Sequence, residues 1–599
     1  MRITRVLPIA LAAFAGLVPA TRADSPSVRA DEARRMAVIN KVRPAVVAIY
    51  AKGAQGGGSG VLIDKDGYAL TNFHVVQGSG PVMQCGLADG ILYDAVLVGL
   101  DKVGDVALVK LLPKKEGSPF PFAPMGDSDK TQEGDWSLAM GNPFLLATDF
   151  TPTVTFGLVS GVHRYQYPEG TLLEYTDCIQ IDTSINPGNS GGPLFNMQGE
   201  LIGINGRGSF DKRRRINSGV GYAISINQIK NFLGHLYAGL DTDHATPGFV
   251  VHSGADDTGR LEVKDIQEDA DAFRRGITIG DELISFAGRG LSSVNEYKNV
   301  LGICPKEWRL PLTYKRQNKR QEVLIRLLGL QTKDPNEEDP TKPKPPPGTP
   351  APPTPPKPPI PDTPAKKLYV EKKGFANFHF NELAQKRLTA DYLKHGDFTS
   401  LKGEWVIDAD MELKQRKTGL RVSIGDEKID ETTVHPLVKF VTDTTKYDLD
   451  PLKSNPTKDD LTVPGGSGGL LMALYHYKRF LTEGMKGFAG RNSYYAGHEP
   501  FYPYPADGST PKSLKDLRVD CEVMKTEYAG VISKWYFART DQKLLGFEVY
   551  VEANGDPCEV YLADYKAVDG RQLPHRLEVR YGDDRFAILT VKSYKLAGK

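Results

Sequence analysis

The chain has 599 residues, too many for a single hydrophobic core, so three or four folded units are expected. It carries 75 basic and 74 acidic residues, and a formal charge of +1 gives no electrostatic reason to expect nucleic acid or an anionic membrane as the main partner. None of the five cysteines stands in a C-x-x-C pair, which argues against a disulfide framework or a cysteine metal site. Cys521 with Cys558 is the one pairing worth testing, and free buried thiols are the alternative.

Residues 1–23 have the pattern of a secretory signal peptide. A short basic region precedes the apolar run Val6–Val18, and small residues offer cleavage sites after Ala20 or Ala23. The apolar run is too short to span a bilayer comfortably, although an uncleaved membrane anchor is the alternative. The sequence therefore predicts an exported protein, periplasmic or extracellular, with no stable membrane span.

Residues 30–242 have the pattern of an all-β unit. A short helix over 31–41 leads into a first strand at 45–51. Short apolar runs, separated by turns that contain glycine or aspartate, then follow one another until a helical period appears at Asn227–Tyr237. Short strands at this spacing favour a barrel or a sandwich.

A serine flanked by glycines lies in the run GNSGGPL, at Gly188–Leu194. Serine is a poor nucleophile unless its hydroxyl is exposed on a tight turn, beside a base and near backbone N–H groups that face the developing oxyanion. Glycines on both sides permit such a turn. The structural alternative is a flexible loop.

A histidine and an aspartate earlier in the chain could complete a catalytic set with Ser190. His74 lies in the strand-like run ALTNFHVV, and Asp105 begins the apolar strand DVALVKL. Burying a carboxylate is costly unless a donor meets it, and the imidazole N–H of His74 would do so. Asp101 is the competing candidate, but its place in a polar turn before the strand makes Asp105 the preferred acid. The order His, Asp, Ser is that of the chymotrypsin-type double barrel.

With these residues, the runs TNFHVV, GDVALVKL, FGLVSGV, IQIDTSINPGNSGGPLFNMQGELIGIN and GVGYAIS resemble the HtrA (DegP/DegS-like) serine proteases over roughly residues 35–242. The resemblance implies that Ser190 attacks the scissile carbonyl, His74 acts as general base and then acid, and Asp105 orients His74. It also implies an oxyanion hole at the N–H groups of Gly188 and Ser190, with Asn189 between them. No nucleotide-binding loop or set of metal ligands is recognisable, so no cofactor and no metal are expected.

The resemblance also locates a substrate pocket. Its expected residues are Ser184, Ile185, Ile204, Asn205 and Gly206. Ser184 stands six residues before the nucleophile, where trypsin-like enzymes place an acid, so a small or medium apolar substrate side chain is expected. The basic run Lys212–Arg215 departs from the family pattern. A solvated loop is its expected role, with a bias on substrate choice or a self-cleavage site as alternatives.

Residues 246–330 form a second predicted unit of mixed strands and short helices. The run ADAFRRGITIGDELISFAGRGLSSVNEYKNVL resembles a bacterial-type PDZ domain. Such a domain holds an extended peptide or a C-terminus by strand addition and relays its occupancy to the protease. The expected binding loop is Gly248, Phe249, Val250 and Val251. This loop lacks the internal glycine of the usual pattern, so a purely structural PDZ domain is the alternative.

Residues 331–367 are predicted to be a proline-rich linker. Fourteen prolines fall within residues 340–364, a composition that cannot pack a core and prefers the polyproline II conformation. A semi-rigid spacer is therefore expected, with a ligand for proline-binding domains as the alternative.

Residues 368–599 are predicted to be a C-terminal α+β domain. It has helical stretches near 380–395 and 470–482, and it ends in four antiparallel strands. These strands faintly resemble the half-barrels of periplasmic lipoprotein carriers, which suggests an accessory domain that binds an apolar ligand or a protein. The runs ANFH and PGGSGG in this domain echo the catalytic motifs. No strand like DVAL separates them, so coincidence is expected.

The expected fold is thus mainly β: a chymotrypsin-like double β-barrel, a PDZ domain, a proline-rich linker and a C-terminal α+β domain. The family resemblance implies an exported, ATP-independent serine endoprotease that cleaves unfolded or damaged proteins and forms a homotrimer or a higher oligomer. The alternative is a chaperone or scaffold with a resting protease domain.

Overall fold

The computed structural model of the chain describes residues 26–50, 57–142, 149–166, 175–183, 185, 188–210, 217–254, 260–330, 360, 362–414, 416–428, 434–453, 456–488, 493–505, 509 and 511–598. The predicted signal peptide, Ser184, the basic run Lys212–Arg215 and most of the predicted linker lie outside these residues. No helix in the described part of the chain is long and apolar enough to cross a membrane.

The first barrel follows an N-terminal helix, and its strands alternate with tight turns as predicted. Its elements are α1 (Pro26–Val42), β1 (Val46–Tyr50), β2 (Gly57–Leu62), β3 (Tyr68–Thr71), α2 (Phe73–Val76), β4 (Val82–Leu87), β5 (Leu92–Asp101) and β6 (Val106–Leu111). The sheet closes because β5 pairs with β6 at the end of the order β5-β4-β1-β2-β3-β6. Its β-branched and aliphatic side chains fill the barrel interior.

The second barrel closes in the order β10-β11-β12-β9-β8-β7, and a helix follows it. Its elements are β7 (Trp136–Gly141), β8 (Thr153–Gln166), β9 (Tyr175–Ile181), β10 (Pro193–Asn196), β11 (Leu201–Phe210), β12 (Asn217–Ser225) and α3 (Ile226–Tyr237). The Ser225 hydroxyl accepts a hydrogen bond from the backbone N–H of Gln228, so Ser225 caps the N-terminus of α3. The mainly-β, double-barrel fold class is confirmed.

A separate antiparallel sheet, with its own apolar core, follows the barrels. The elements of this part are β13 (Asp241–Thr242), β14 (Ala245–Thr246), β15 (Phe249–Ser253), β16 (Leu261–Ile266), α4 (Asp271–Arg274), β17 (Glu282–Phe286), β18 (Arg289–Gly290), α5 (Val294–Gly302), β19 (Arg309–Arg316), β20 (Lys319–Arg326) and β21 (Leu328–Gly329). The main sheet runs in the order β15-β16-β17-β19-β20, so β15 is an edge strand.

The C-terminal part forms one long antiparallel sheet in the order β25-β24-β23-β22-β32-β31-β30-β29-β28-β27-β26. Its elements are α6 (Phe378–Tyr392), β22 (Trp405–Leu413), β23 (Arg416–Lys428), β24 (Val434–Thr442), β25 (Lys446–Leu449), α7 (Lys458–Leu461), α8 (Leu470–Glu483), β26 (Tyr494–Phe501), β27 (Val519–Tyr528), β28 (Val531–Ala538), β29 (Leu544–Tyr550), β30 (Cys558–Val568), β31 (Arg571–Tyr581) and β32 (Asp584–Leu596). Helix α8 is buried along nearly its whole length against this sheet. The four predicted terminal strands are confirmed as β29 to β32.

The C-terminal part packs directly on the first barrel. Ala365, Ala376 and Phe380 join the apolar core of that barrel, so the range predicted as a linker includes residues that pack. Helix α3 meets strand β26 at two glycines. A Cβ atom added to Gly234 would lie 2.1 Å from His498, and one added to Gly497 would lie 2.9 Å from a backbone nitrogen of α3. Side chains at these two positions would separate the units.

Buried ion pairs join the C-terminal sheet to the sheet of residues 249–326. Arg309 lies 2.9 Å from Glu559, and Arg326 lies 3.0 Å from Glu499 and 2.5 Å from Glu548. Burial alone would raise the pKa of Glu548, but the positive charge of Arg326 and its neighbours outweighs burial and lowers it. Because removal of one partner would leave the other charge buried, these pairs fix how the two units face each other.

Candidate active site

Strand register brings His74 and Asp105 together. Strands β3 and β6 pair antiparallel with Thr71 opposite Ala107, so the residues after β3 lie beside those before β6. His74 lies on the short helix α2, which corrects the prediction of a continuous strand through ALTNFHVV. The chain leaves the sheet after Thr71, and this turn aims the imidazole at the carboxylate.

Asp105 is held in a left-handed backbone conformation, with φ 58°. Its carbonyl oxygen accepts hydrogen bonds from Asn72 Nδ2 at 2.9 Å and from the backbone N–H of Phe73 at 3.2 Å. Its carboxylate accepts the His74 backbone N–H at Oδ1, at 3.0 Å, and faces His74 Nδ1 from Oδ2, at 2.8 Å. The Asp105 side chain is fully buried whereas that of His74 is 37% exposed. Asp105 can therefore orient the ring of His74 while that ring stays partly exposed.

Ser190 lies on a turn of the second barrel, beside strand β11. The β10–β11 pairing sets Pro193 opposite Ile204, and the Gly191 N–H donates to the Asn205 carbonyl at 2.8 Å. Gly191 has φ 82°, and a Cβ atom there would lie 2.2 Å from the Ser59 carbonyl oxygen. A glycine after the serine is therefore a steric requirement of this turn.

Ser59 of strand β2 anchors the same turn from the first barrel. Its N–H donates to the Ser190 carbonyl at 2.9 Å, and its hydroxyl donates to the Gly188 carbonyl at 2.7 Å. These two hydrogen bonds fix the backbone of the Ser190 turn against the first barrel.

The Ser190 hydroxyl donates a hydrogen bond to the Gly206 carbonyl at 3.3 Å. Within the described part of the chain it makes no hydrogen bond to His74. The Ser190 turn nevertheless lies beside the segment of His74, because a Cβ atom added to Gly191 would lie 3.0 Å from the backbone nitrogen of Asn72. Hydrogen bonds between catalytic groups are often long until substrate binds.

The family model of the trypsin-like peptidase domain matches residues 58–204, a range that holds His74, Asp105 and Ser190. The Synechocystis sp. protein named "Putative serine protease HhoA" is 33% identical over 293 residues, which cover 46% of this chain and 71% of that protein. The chain belongs to the DegP/HtrA family of serine proteases. The Chlamydia trachomatis protein named "Probable periplasmic serine endoprotease DegP-like" is 32% identical over 294 residues, or 46% of this chain.

This DegP/HtrA-family chain spans 55% of the length of that chlamydial relative. Among solved structures, the HtrA-type protease AlgW with a tripeptide is 28% identical to it. That match covers 49% of this chain and 97% of AlgW, with a TM-score of 0.40.

Two of the predicted pocket residues, Asn205 and Gly206, lie beside the Ser190 turn, whereas Ile185 and Ile204 belong to two different apolar cores. Ile185, Ile204 and Asn205 are buried, and Asn205 Nδ2 donates to the Pro193 carbonyl at 3.0 Å. Gly206 accepts the Ser190 hydroxyl, as described above. Ser184 lies outside the described residues, so the structure says nothing of the residue on which the predicted apolar preference mainly depended.

Asp101, the competing acid, has a different partner. It ends strand β5 and is buried, where a solvated turn was expected. Its carboxylate oxygens lie 2.9 and 3.0 Å from His244 Nε2, and Oδ1 also accepts the Gly104 N–H at 2.9 Å. The ring of His244 stacks on Phe232 at 4.4 Å. These contacts tie the first barrel to the segment that leads into the next sheet.

The predicted peptide-binding loop begins edge strand β15. Gly248 has φ 77°, Phe249 is buried, and the Val250 side chain is 57% exposed. Val251 is half-buried and pairs with Val263 of β16. The loop therefore combines an anchored residue with a strand edge, which is the geometry required for strand addition.

The motif PGGSGG of the C-terminal part lies at the N-terminus of helix α8. Ser467 is fully buried, and its hydroxyl accepts the N–H groups of Gly469 at 3.3 Å and Leu470 at 3.1 Å, at the start of α8. Because Ser467 is fully buried, its hydroxyl is not accessible to a substrate. The resemblance of PGGSGG to the catalytic motif is therefore still interpreted as a coincidence. All five cysteines are free and buried, so Cys521 and Cys558 are not paired.

Sequence reasoning missed three residues of the site. Ser59 and Asn72 hold the Ser190 turn and the Asp105 backbone, and Asn72 at least was visible beside His74 in the TNFH run. Tyr175 donates its hydroxyl to Asp105 Oδ2 at 2.6 Å. It lies 70 residues from Asp105, and no local pattern marks it.

Proposed function

We propose that this chain is an exported, ATP-independent serine endoprotease that cleaves peptide bonds of unfolded or damaged proteins through an acyl-enzyme. The observation that carries the proposal is the His74–Asp105 contact at 2.8 Å in the first barrel, together with the Ser190 turn that Ser59 of the same barrel anchors. In this mechanism Ser190 attacks the carbonyl carbon, and His74 takes the hydroxyl proton and gives it to the leaving amine. Water then hydrolyses the ester by the same proton transfers.

The proposed oxyanion hole uses the N–H groups of Gly188 and Ser190, with Asn189 completing the loop. Fixed donors are worth more than mobile water because they need no reorganisation as charge develops. The hydrogen bonds from Ser59 to the Gly188 and Ser190 carbonyls support the assignment, since they fix the turn.

The proposed specificity pocket comprises Ser184, Ile185, Ile204, Asn205 and Gly206. The hydrogen bond from the Ser190 hydroxyl to the Gly206 carbonyl supports the place of this pocket beside the nucleophile. We propose a preference for small or medium apolar side chains.

We propose the domain boundaries that the sequence predicts. They are a signal peptide over 1–23, a protease domain over 30–242, a PDZ domain over 246–330, a proline-rich linker over 331–367 and a C-terminal domain over 368–599. A PDZ role for residues 246–330 is supported by the open edge of β15 beside Gly248–Val251. Helix α5 also reaches the second barrel, because Asn299 donates to the His163 carbonyl at 2.6 Å and accepts the Asp177 N–H at 2.9 Å. Peptide occupancy could be relayed through that contact.

A homotrimer or higher oligomer is proposed for the protease part. An exposed tryptophan on the second barrel supports it: Trp136 is 50% exposed and stacks on the half-buried Phe156 at 4.4 Å. Met36 of the neighbouring helix α1 is also exposed. Exposed apolar clusters of this kind favour contact with another protein surface.

Export to a periplasm or the cell exterior is proposed from the signal-peptide pattern of residues 1–23 and from the word periplasmic in the names of relatives. For the C-terminal part we propose an accessory role as a lipoprotein-carrier-like half-barrel. The long antiparallel sheet with a helix packed on it supports that comparison.

A fluorophosphonate probe on the full chain tests the proposal. We expect covalent labelling of Ser190 that is lost in Ser190→Ala and kept in Ser467→Ala, the matched serine of the second glycine-rich motif. A folded sample that stays unlabelled with or without peptide activators would refute it. Faster cleavage of unfolded casein than of a folded protein would then identify the substrate class.

The second candidate function is a chaperone or scaffold with a resting protease domain. The bond from the Ser190 hydroxyl to Gly206, instead of to His74, favours it. The fluorophosphonate probe distinguishes the two functions. A protease domain that is permanently at rest would remain unlabelled both with and without peptide activators.

A further inference from the structure

We propose that Tyr175 is a positioning residue of the catalytic centre, and that it aligns the two barrels across the cleft. The inference rests on the proposed function for its kinetic consequence only. The hydrogen bond and the packing on which it depends can be tested without catalysis.

Within the described part of the chain, the Tyr175 hydroxyl is the one side-chain donor to the Asp105 carboxylate apart from His74. It donates to Oδ2 at 2.6 Å, and His74 Nδ1 faces the same oxygen at 2.8 Å. The other oxygen, Oδ1, accepts the backbone N–H of His74. Because Asp105 is fully buried, water cannot readily replace a lost donor. Tyr175 therefore restricts how the carboxylate can rotate beneath the imidazole.

The ring of Tyr175 supports the serine side of the site. A Cβ atom added to Gly206 would lie 2.6 Å from Tyr175 Cε1, so the ring packs against the Gly206 backbone. The Gly206 carbonyl accepts the Ser190 hydroxyl. One buried side chain thus contacts the acid through its hydroxyl and supports the backbone that holds the nucleophile.

The origin of Tyr175 explains its effect on alignment. It begins β9 and pairs with Gln166 of β8, so it belongs to the second barrel, as Ser190 does. Asp105 and His74 belong to the first barrel. Together with the bonds from Ser59, the Tyr175 hydroxyl bond therefore sets the spacing between base and nucleophile, because each of these bonds joins the two barrels.

The hydroxyl also affects the charge on Asp105. A hydrogen bond to a carboxylate spreads its negative charge, and a carboxylate with fewer donors attracts the imidazolium more strongly. Loss of the hydroxyl should therefore move the acid limb of the kcat/KM profile to higher pH. Looser alignment should also lower kcat about tenfold, with KM little changed.

Tyr175→Phe keeps the ring and removes only the hydroxyl, and Tyr93→Phe is its matched control. Tyr93 donates its hydroxyl to Asp89 Oδ2 at 2.8 Å, on a turn of the first barrel. We expect the lower kcat and the shifted acid limb in Tyr175→Phe only. A Tyr175→Phe enzyme with wild-type kcat and pH profile would overturn the inference.

A second measurement does not need activity. In the full chain with 15N-labelled histidine, the downfield proton on His74 Nδ1 is identified among the 11 histidines by its loss in His74→Ala. This resonance should move in Tyr175→Phe and stay in Tyr93→Phe. If it stays in both, Tyr175 does not position the pair. If it moves while wild type hydrolyses no substrate, the positioning stands and the proposed function fails.

Discussion

Two buried aspartates of the first barrel each bind a histidine, and the contrast between them separates catalysis from structure. Asp105 and Asp101 are four residues apart, and their carboxylates lie 2.8 and 2.9 Å from an imidazole nitrogen. The acids have the same burial, with side chains 0% and 1% exposed. Only the histidines differ, because the side chain of His74 is 37% exposed and that of His244 is 2% exposed.

A His–Asp contact therefore does not by itself identify a catalytic site. The partly exposed His74 can exchange a proton with a substrate in the proposed mechanism. His244 is covered by Phe232 and by the segment that leads to the next sheet. Its contact can stabilise the chain but cannot reach a substrate.

Replacement of His74 should have the largest effect on hydrolysis. We expect His74→Ala to lower kcat about 10⁵- to 10⁶-fold, since the general base is lost. The denaturation midpoint should fall less than in His244→Ala, because the Asp105 carboxylate keeps its hydrogen bonds from the Tyr175 hydroxyl and from the backbone N–H of residue 74. Peptide hydrolysis and urea unfolding, measured on the same sample, check both expectations.

The two acids should differ in kcat. Asp105→Asn is expected to lower kcat about 10⁴-fold, because the amide no longer fixes the imidazole tautomer. Asp101→Asn should leave kcat within about threefold of wild type and lower the unfolding free energy by about 1–3 kcal/mol. If Asp101→Asn loses activity as Asp105→Asn does, the division between the pairs is wrong.

Replacement of His244 should act on stability. His244→Ala leaves the Asp101 carboxylate buried without its imidazole partner, a change that costs about 3–5 kcal/mol. Urea unfolding followed by tryptophan fluorescence measures the loss, and kcat below the transition should equal that of wild type. His74→Ala is the control, and equal midpoints for the two variants would contradict the assignment.

Replacement of Phe232 should have the smallest of these effects. It stacks on His244 at 4.4 Å and is buried, so Phe232→Leu should reduce the unfolding free energy by about 1 kcal/mol beyond its lost area. Hydrolysis should be unchanged. A double-mutant cycle with His244→Ala should show that the two losses are not additive, whereas a cycle with His74→Ala should be additive.

The sequence predicted those features that depend on residues close to one another along the chain. Glycine after Ser190 is readable because only glycine fits beside the Ser59 carbonyl at φ 82°. The terminal strands β29 to β32 are readable because alternation and turn residues recur at short range. The same rules failed at His74, since α2 has only four residues and its apolar sequence does not differ from that of a strand.

Contacts between residues far apart in the chain could not be predicted from the sequence. Asp101 was expected in a solvated turn because its partner, His244, is 143 residues away. Tyr175 and Ser59 carry no local signal, since each acts across the cleft on residues of another strand. The buried ion pairs of Arg309 and Arg326 could not be foreseen either, because their acids belong to the C-terminal sheet.

By itself the sequence determined the mainly-β class, the family and the residue types of the site, because motif spacing and strand periodicity depend on neighbours along the chain. The tertiary structure alone decided which of two buried acids faces an open histidine, and which tyrosine completes that site. Those choices follow from burial and from hydrogen bonds between distant strands. Both are set only when the barrels close against each other and against the C-terminal sheet.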